Sequence, residues 1–268
     1  MANIIFTNDI ITVADANITV QSTATGFAKA NVFNYGTLKR RWRMDALTKS
    51  DSNPVMYFDM SAAKTLTAIV LCDVNFDKVV IRGHASSLTT NWAASTFSSG
   101  VTAITVSRDA QTGRYDVYIP LTAFDYEWLA ILVPDAAGAV GSYTTKWEIG
   151  DVILLDSGNP FSKNMAMGYS RGAERAYAEL KLTSGHVERD SLGDMQWSGT
   201  LTFGVRTTTE EADLTTLNNL DISETLVYYE NAGDTSKVYV CLRDDHYKGT
   251  YLANGIVTGN SIKLTERV

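Results

Sequence analysis

The chain has 268 residues, 45% hydrophobic and 20% charged, with a formal net charge of −7. These are globular values, enough for one large domain or two of ordinary size, each with its own core. Residues 1–160 carry 12 basic and 15 acidic groups and residues 161–268 carry 11 and 15, so neither half offers the clustered Lys and Arg of a nucleic-acid platform.

The start, Met1 to Phe6, has no basic region followed by a long apolar core, so no secretory signal is expected there. The longest apolar run, Leu129 to Pro134, is far short of the roughly 20 residues of a membrane helix, and no membrane insertion is expected. Cys72 and Cys241 each sit in an apolar strand pattern and read as buried free thiols of a protein assembled in a reducing cytoplasm.

Strand signals dominate the first 160 residues. Val55–Met60, Leu66–Asp73, Lys78–His84, Val101–Val106, Arg114–Ile119, Trp128–Val133 and Trp147–Leu155 are rich in β-branched and aromatic side chains. Clusters of Gly, Asn, Asp and Ser separate them. Arg108 to Gly113 reads as a hairpin loop between two alternating runs. No helix of three turns is expected before residue 160, and the spacing of short strands predicts a sandwich.

The turn formers of Asp156 to Pro160 mark the domain boundary. Phe161 to Arg175 then shows neither helical nor strand periodicity and reads as a connector or arm. Alternation resumes at Tyr177–Thr183 and again at Gln196–Thr207. Thr207 or Thr208 with Glu210 or Glu211 forms a capping-box signature, and Leu214, Leu217 and Leu220 follow at helical spacing. Thr225–Glu230, Lys237–Arg243 and Ser261–Arg267 are the last expected strands, with Tyr247–Val257 between them. The expected domains are therefore 1–158, a connector 159–176, and 177–268.

Chemistry-bearing constellations are sparse. His84, His186 and His246 lack any metal-ligand spacing among themselves or with the cysteines. No nucleophile elbow, phosphate loop or dinucleotide fingerprint is present. The adjacent pairs Asp244-Asp245 and Glu210-Glu211 point apart and read as solvated surface. Asp15–Asn17 and Asp51–Asn53 carry oxygens that suit Ca²⁺, yet ordinary turn chemistry accounts for both. No catalytic residue, metal site or cofactor is therefore assigned.

Two features admit a binding role beside a structural one. Lys39-Arg40-Arg41-Trp42-Arg43, with Tyr35, reads as a loop-end site for an anionic glycan or a neighbouring subunit. Equally, Trp42 fills the core while the arginines are solvated or pair with Asp45 and Asp51. Trp92 in its polar loop reads either as a sugar-stacking ring or as a core residue. For assembly, the aperiodic connector supplies the candidates Asn164, Met165, Met167, Tyr169, Arg171 and Arg175, since such a stretch needs a partner surface to become ordered.

Asn31-Val32-Phe33-Asn34, Trp42 and Phe58-Asp59-Met60, in that order, resemble the discoidin-type galactose-binding-like sandwich over roughly residues 17–155. Asp59-Met60-Ser61 departs from the Asp-Leu-Gly form of that family but keeps the acid and the apolar residue. The second half resembles the β-barrel-with-one-helix domain of phage tail-tube and distal-tail ring proteins. Gly199–Val205, Glu210–Leu220, Leu226–Tyr229, Val238–Arg243 and Ser261–Arg267 carry that likeness. Together the resemblances imply a mostly β protein: a jelly-roll-like sandwich, then a sandwich or barrel with one short helix. They imply a tail-tip or distal-tail component of a virion, assembled in the host cytoplasm, without enzymatic activity. Its partners would be further copies in a ring (a hexamer by the family's habit) and other tail proteins, with DNA only in transit. The alternative is a carbohydrate-binding module for host-surface glycans, with Tyr35, Arg40, Arg41 and Trp92 as its site.

Overall fold

The computed structural model describes residues 5–7, 10–33, 41–89, 91–104, 115–138, 146–156, 170–174, 177–181, 187–191, 196–207, 212–219, 221–222, 224–229, 238–244, 246, 249–253, 256–259 and 261–266. Its first strands are β1 (Ile5–Thr7), β2 (Ile10–Ile11), β3 (Ile18–Val20), β4 (Trp42–Arg43) and β5 (Met56–Val74). Next come β6 (Lys78–His84), β7 (Phe97–Ala103), β8 (Tyr115–Leu132), β9 (Glu148–Ile149) and β10 (Asp151–Leu155). One compact unit comprises Thr7–Gly158 and Tyr229–Val238; the other comprises Met1–Phe6, Asn159–Tyr228 and Tyr239–Val268.

The larger unit is built on β5 and β8, of 19 and 18 residues, paired antiparallel along their length. The sheet runs β2-β10-β5-β8-β6-β7, with β3 also on β5. Each long strand merges two expected shorter ones. The breaks expected near Ser61–Lys64 and Pro120–Tyr126 are bulges instead, where the register shifts but pairing continues. Ser61, Asp73 and Ala123 take left-handed backbone angles of 62°, 58° and 60° at these shifts. Two aspartates close two of the bulges: the Ser61 N–H donates to Asp59 Oδ1 (2.7 Å) and the Asp73 N–H to Asp116 Oδ1 (2.8 Å). Pro120, a residue that cannot donate to a ladder, sits at the shift between Leu66 and Ala68.

Alternation along β5 directs Met56, Phe58 and Met60 into the main core. Phe124, Leu129 and Ile131 enter it from β8, and Val79 and Ile81 from β6. The β4–β9 pair and the 3-10 turn Lys29–Phe33 bring Trp42, Ile149 and Val32 into the same core. Phe76 meets Trp147 edge-on at 5.8 Å, and Phe33 meets Phe58 at 5.3 Å. The two buried indoles find acceptors: Trp147 Nε1 donates to Thr48 O (2.7 Å) and Trp42 Nε1 to Thr23 Oγ1 (3.3 Å). The expected strand Trp147–Leu155 is divided at Gly150, where a Cβ would lie 2.7 Å from Asp73 Cβ.

The smaller unit adds β11 (Ser170–Glu174), β12 (Tyr177–Lys181), β13 (Val187–Ser191), β14 (Gln196–Thr202) and β15 (Val205–Thr207). After helix α1 (Ala212–Asn219) come β16 (Leu226–Tyr229), β17 (Val238–Arg243), β18 (Gly249–Ala253), β19 (Ile256–Gly259) and β20 (Ser261–Glu266). The principal sheet runs β1-β16-β17-β20-β14-β11. A three-stranded sheet, β15-β19-β18, and the β12–β13 pair accompany it. Two findings depart from the expected pattern. The N-terminal segment Ile5–Thr7 lies in this sheet, beside β16, and Ser170–Glu174 of the aperiodic stretch is a strand paired with β14.

Leu201, Phe203, Leu226, Tyr228, Cys241, Ile262 and Leu264 form the core of this unit, and Leu217 brings the helix onto it. Trp197 stacks on Tyr239 at 4.4 Å. Cys72 and Cys241 are buried free thiols. The fold is mostly β, with one α-helix and no closed barrel among the described residues.

Gly83 tests the inner packing, because a Cβ there would meet Phe124 Cε2 at 2.5 Å. Gly83→Ala should cost about 1–3 kcal/mol through overpacking. Combining it with Phe124→Leu should cost less than the sum of the two single changes in denaturant unfolding.

Candidate functional site

Of the expected loop-end site, Tyr35 and Arg40 lie outside the described residues; Arg41 and Trp92 are placed. Arg41 immediately precedes β4, whose short pairing with β9 sets Trp42 opposite Ile149 and Arg43 opposite Glu148. Alternation then separates the roles: Trp42 is fully buried, while the flanking arginines converge on the Glu148 carboxylate.

Arg41 Nη1 lies 3.2 Å from Glu148 Oε2 and its Nη2 lies 3.3 Å from Asp73 Oδ2. Arg43 Nε pairs with Glu148 Oε1, and the same guanidinium lies over the Phe27 ring at 4.0 Å. The Glu148 side chain is 2% exposed, and its backbone N–H donates to Asn75 Oδ1 (2.9 Å). Asn75, itself fully buried, donates through Nδ2 to Lys146 O (2.8 Å). The arginines are thus paired with Glu148 and Asp73 rather than with Asp45 and Asp51. Asp45 instead lies 3.9 Å from Lys146 Nζ, and Asp51 Oδ1 accepts the Asp135 N–H (3.1 Å). A buried carboxylate held by two guanidiniums is a structural clamp, because each charge compensates the desolvation of the other. It leaves Arg41 committed to the protein.

Trp92 is fully buried, so no ring face is open to a sugar, and that expectation is corrected. It packs with Val80, Ala130 and Leu132, while its backbone N–H donates to Ser52 O (2.7 Å) and its Nε1 to Thr89 O (3.3 Å). The polar loop concealed this, because the surface that covers Trp92 comes from strands distant in sequence.

The connector candidates Asn164, Met165, Met167, Tyr169 and Arg175 lie outside the described residues. Arg171 lies on β11, its backbone opposite Gly199 of β14. As the last strand of the six-stranded order, β11 pairs on one side only among the described residues. That side leaves a row of backbone donors and acceptors, the feature by which strands add to sheets. Periodicity hid it, since a five-residue strand of Ser, Arg, Gly, Ala and Glu carries no apolar alternation.

The remaining polar candidates have local partners. Asn17 Nδ2 donates to Ser61 Oγ (3.0 Å), and Asp15 lies 4.0 Å from Lys29 Nζ. Asp244 Oδ2 lies 3.0 Å from Lys263 Nζ and accepts from Thr265 Oγ1 (2.9 Å). His84 Nδ1 lies 2.8 Å from Thr96 Oγ1; His246 is exposed, and His186 is outside the described residues. No group of three or more His, Cys, Asp or Glu is gathered as for a metal among the described residues.

Comparison with family models and with curated proteins returns no match. Among solved structures, the chain is similar to a family 89 glycoside hydrolase from Clostridium perfringens, in complex with 2-acetamido-1,2-dideoxynojirmycin. The identity is 11% and the TM-score 0.32, over 56% of this chain and 15% of the hydrolase. The chain therefore spans a small part of that protein, and a likeness of this degree carries no argument about fold or activity.

The Glu148 clamp makes a sharp energetic prediction. Glu148→Gln leaves Arg43 without its countercharge and Arg41 with Asp73 alone, and should cost about 3–5 kcal/mol in denaturant unfolding. Lys146→Ala removes only an exposed contact and should change stability by less than about 1 kcal/mol.

Proposed function

We propose that the protein is a structural component of a phage tail, a tail-tip or distal-tail ring protein that acts through assembly rather than catalysis. The observation that carries this reading is the six-stranded sheet of the smaller unit, in which β11 is the last strand among the described residues. A sheet edge free on one side pairs with an edge of another subunit without new side-chain chemistry. A head-to-tail repetition of that pairing closes into a ring when the rotation between copies is fixed.

The resemblance of the second half to tail-tube and distal-tail proteins supports the same reading. On it, the smaller unit builds the ring, probed here through Arg171 on its edge, and the larger unit decorates it. Further copies and other tail proteins are the proposed partners, and the virion is the proposed location. The net charge of −7 suits a channel that passes DNA without retaining it, because like charge disfavours stable contact.

Light scattering of the full chain, followed by negative-stain imaging, tests the proposal: a hollow ring is expected, and a monomer at high concentration contradicts it. Neighbouring N–H groups on an edge strand point alternately inward and outward. Between Arg171→Pro and Gly172→Pro, one variant should therefore keep the fold and lose the ring. Rings unchanged in both variants would remove β11 from the seam.

A further inference from the structure

The outer face of the β5–β8–β6 sheet carries side chains that the core and the clamp do not use. Register sets Asp59, Trp128 and His84 in one cross-strand row and Tyr57, Ala130 and Arg82 in the next. These positions alternate with the inward Phe58, Leu129, Ile131 and Ile81, so they point to the opposite side. Tyr57 and Trp128 are half-buried, with ring centroids 6.1 Å apart, and both pack at the margin of the small cluster around Trp92. Tyr57 also lies 5.7 Å from Trp92, which holds it from the loop side. Tyr57 is thus held between Trp92 and Trp128, at interplanar angles of 43° and 44°, and these rings form the aromatic floor of this face.

Arg82 stands at this floor with no carboxylate partner among the described residues. Its Nε is buried without a hydrogen-bond acceptor, and it lacks the carboxylate that Glu148 supplies to Arg41 and Arg43. Asp59, in the next row, has Oδ1 engaged by the Ser61 N–H of its own bulge. His84 keeps Nδ1 on Thr96 and has its second ring nitrogen for another contact. An uncompensated guanidinium on the same sheet face as two half-buried aromatic rings is a combination that suits an anionic ligand with an apolar side.

We propose that this face binds a carboxylate-bearing saccharide, its C–H face on Trp128 and Tyr57 and its carboxylate on Arg82. A peptide strand would add at a sheet edge, whereas β8 lies inside this sheet, between β5 and β6. A nucleic acid needs several cations to follow its phosphates, and this floor offers one in a half-chain with 12 basic and 15 acidic groups. The site is distinct from the loop-end residues, and the inference is independent of ring assembly: a monomer binds as well.

Isothermal titration of the full chain with tetragalacturonate, its fully methyl-esterified form, 3′-sialyllactose and lactose tests this. At least one acidic sugar should bind, with the matching neutral sugar about tenfold weaker or more. Trp128→Ala should weaken binding by at least about tenfold, while Arg82→Gln should abolish the preference for the acid. Arg82→Lys keeps the charge and loses the planar fork, and it should retain part of that preference. Unfolding midpoints of each variant separate lost binding from lost folding. Absence of binding to both acidic sugars, equal affinity for the neutral forms, or full affinity in folded Trp128→Ala would overturn the proposal. So would a Trp128→Ala change in oligomeric mass, which would assign the face to a second copy of the chain.

Discussion

The pairing of β5 with β8 is the constraint on which the larger unit depends. Two strands of 19 and 18 residues, held together over their length, decide which side chains enter the core. Because side chains alternate with period two, the later shifts change which residues of β5 face inward, from Met60 and Leu66 to Ile69 and Leu71 and then to Val74. Ser61, Asp73 and Ala123 are therefore architectural positions although they are ordinary residue types. The aspartates that satisfy the bulged N–H groups, Asp59 and Asp116, give those positions their local chemistry. The acid of Phe58-Asp59-Met60 thereby acquires a physical role, as the acceptor that closes a bulge.

The most conspicuous polar run of the chain serves this architecture. Arg41 and Arg43 flank a buried tryptophan and meet a buried glutamate more than a hundred residues away, so β4 and β9 are joined by charge as well as by backbone. Removing one partner of such a buried pair is costly, because the other charge is left uncompensated away from water. Arg82, isolated in the expected strand Lys78–His84, has no carboxylate partner among the described residues. Clustering along the sequence is thus a poorer guide to an available charge than the absence of a countercharge in space.

Much of the fold was legible because it rests on local periodicity: the strands around Ile69, Ile81, Ile131 and Ile153, the short helix carrying Leu217, and the closing strands around Cys241 and Ile262. What was illegible rests on distant pairing. Ile5–Thr7 has no feature that announces a place beside Leu226–Tyr229, and Ser170–Glu174 is a strand because Gln196–Thr202 offers it an edge. The breaks expected near Ser61 and Pro120 followed turn composition, which cannot distinguish a turn from a bulge. For the candidate sites, Trp92 is removed from the surface by strands distant in sequence. Trp128 becomes a neighbour of Tyr57 and His84 only through cross-strand register.

The surfaces of the protein divide by what each has left to give. Among the described residues, the inner face of the long strands belongs to the core, the outer face carries half-buried aromatic rings and the unpaired Arg82, and the six-stranded sheet ends at β11. Hydrogen exchange of the full chain, read peptide by peptide, tests this division most directly. The amides of β5 and β8 near Ile69, Ile119 and Ile131 should exchange slowest, since they open only with the unit as a whole. The edge strand Ser170–Glu174 should exchange fast in the monomer and become protected on assembly. Rapid exchange along β5 and β8, matching that of the edge strand, would contradict the account at its foundation.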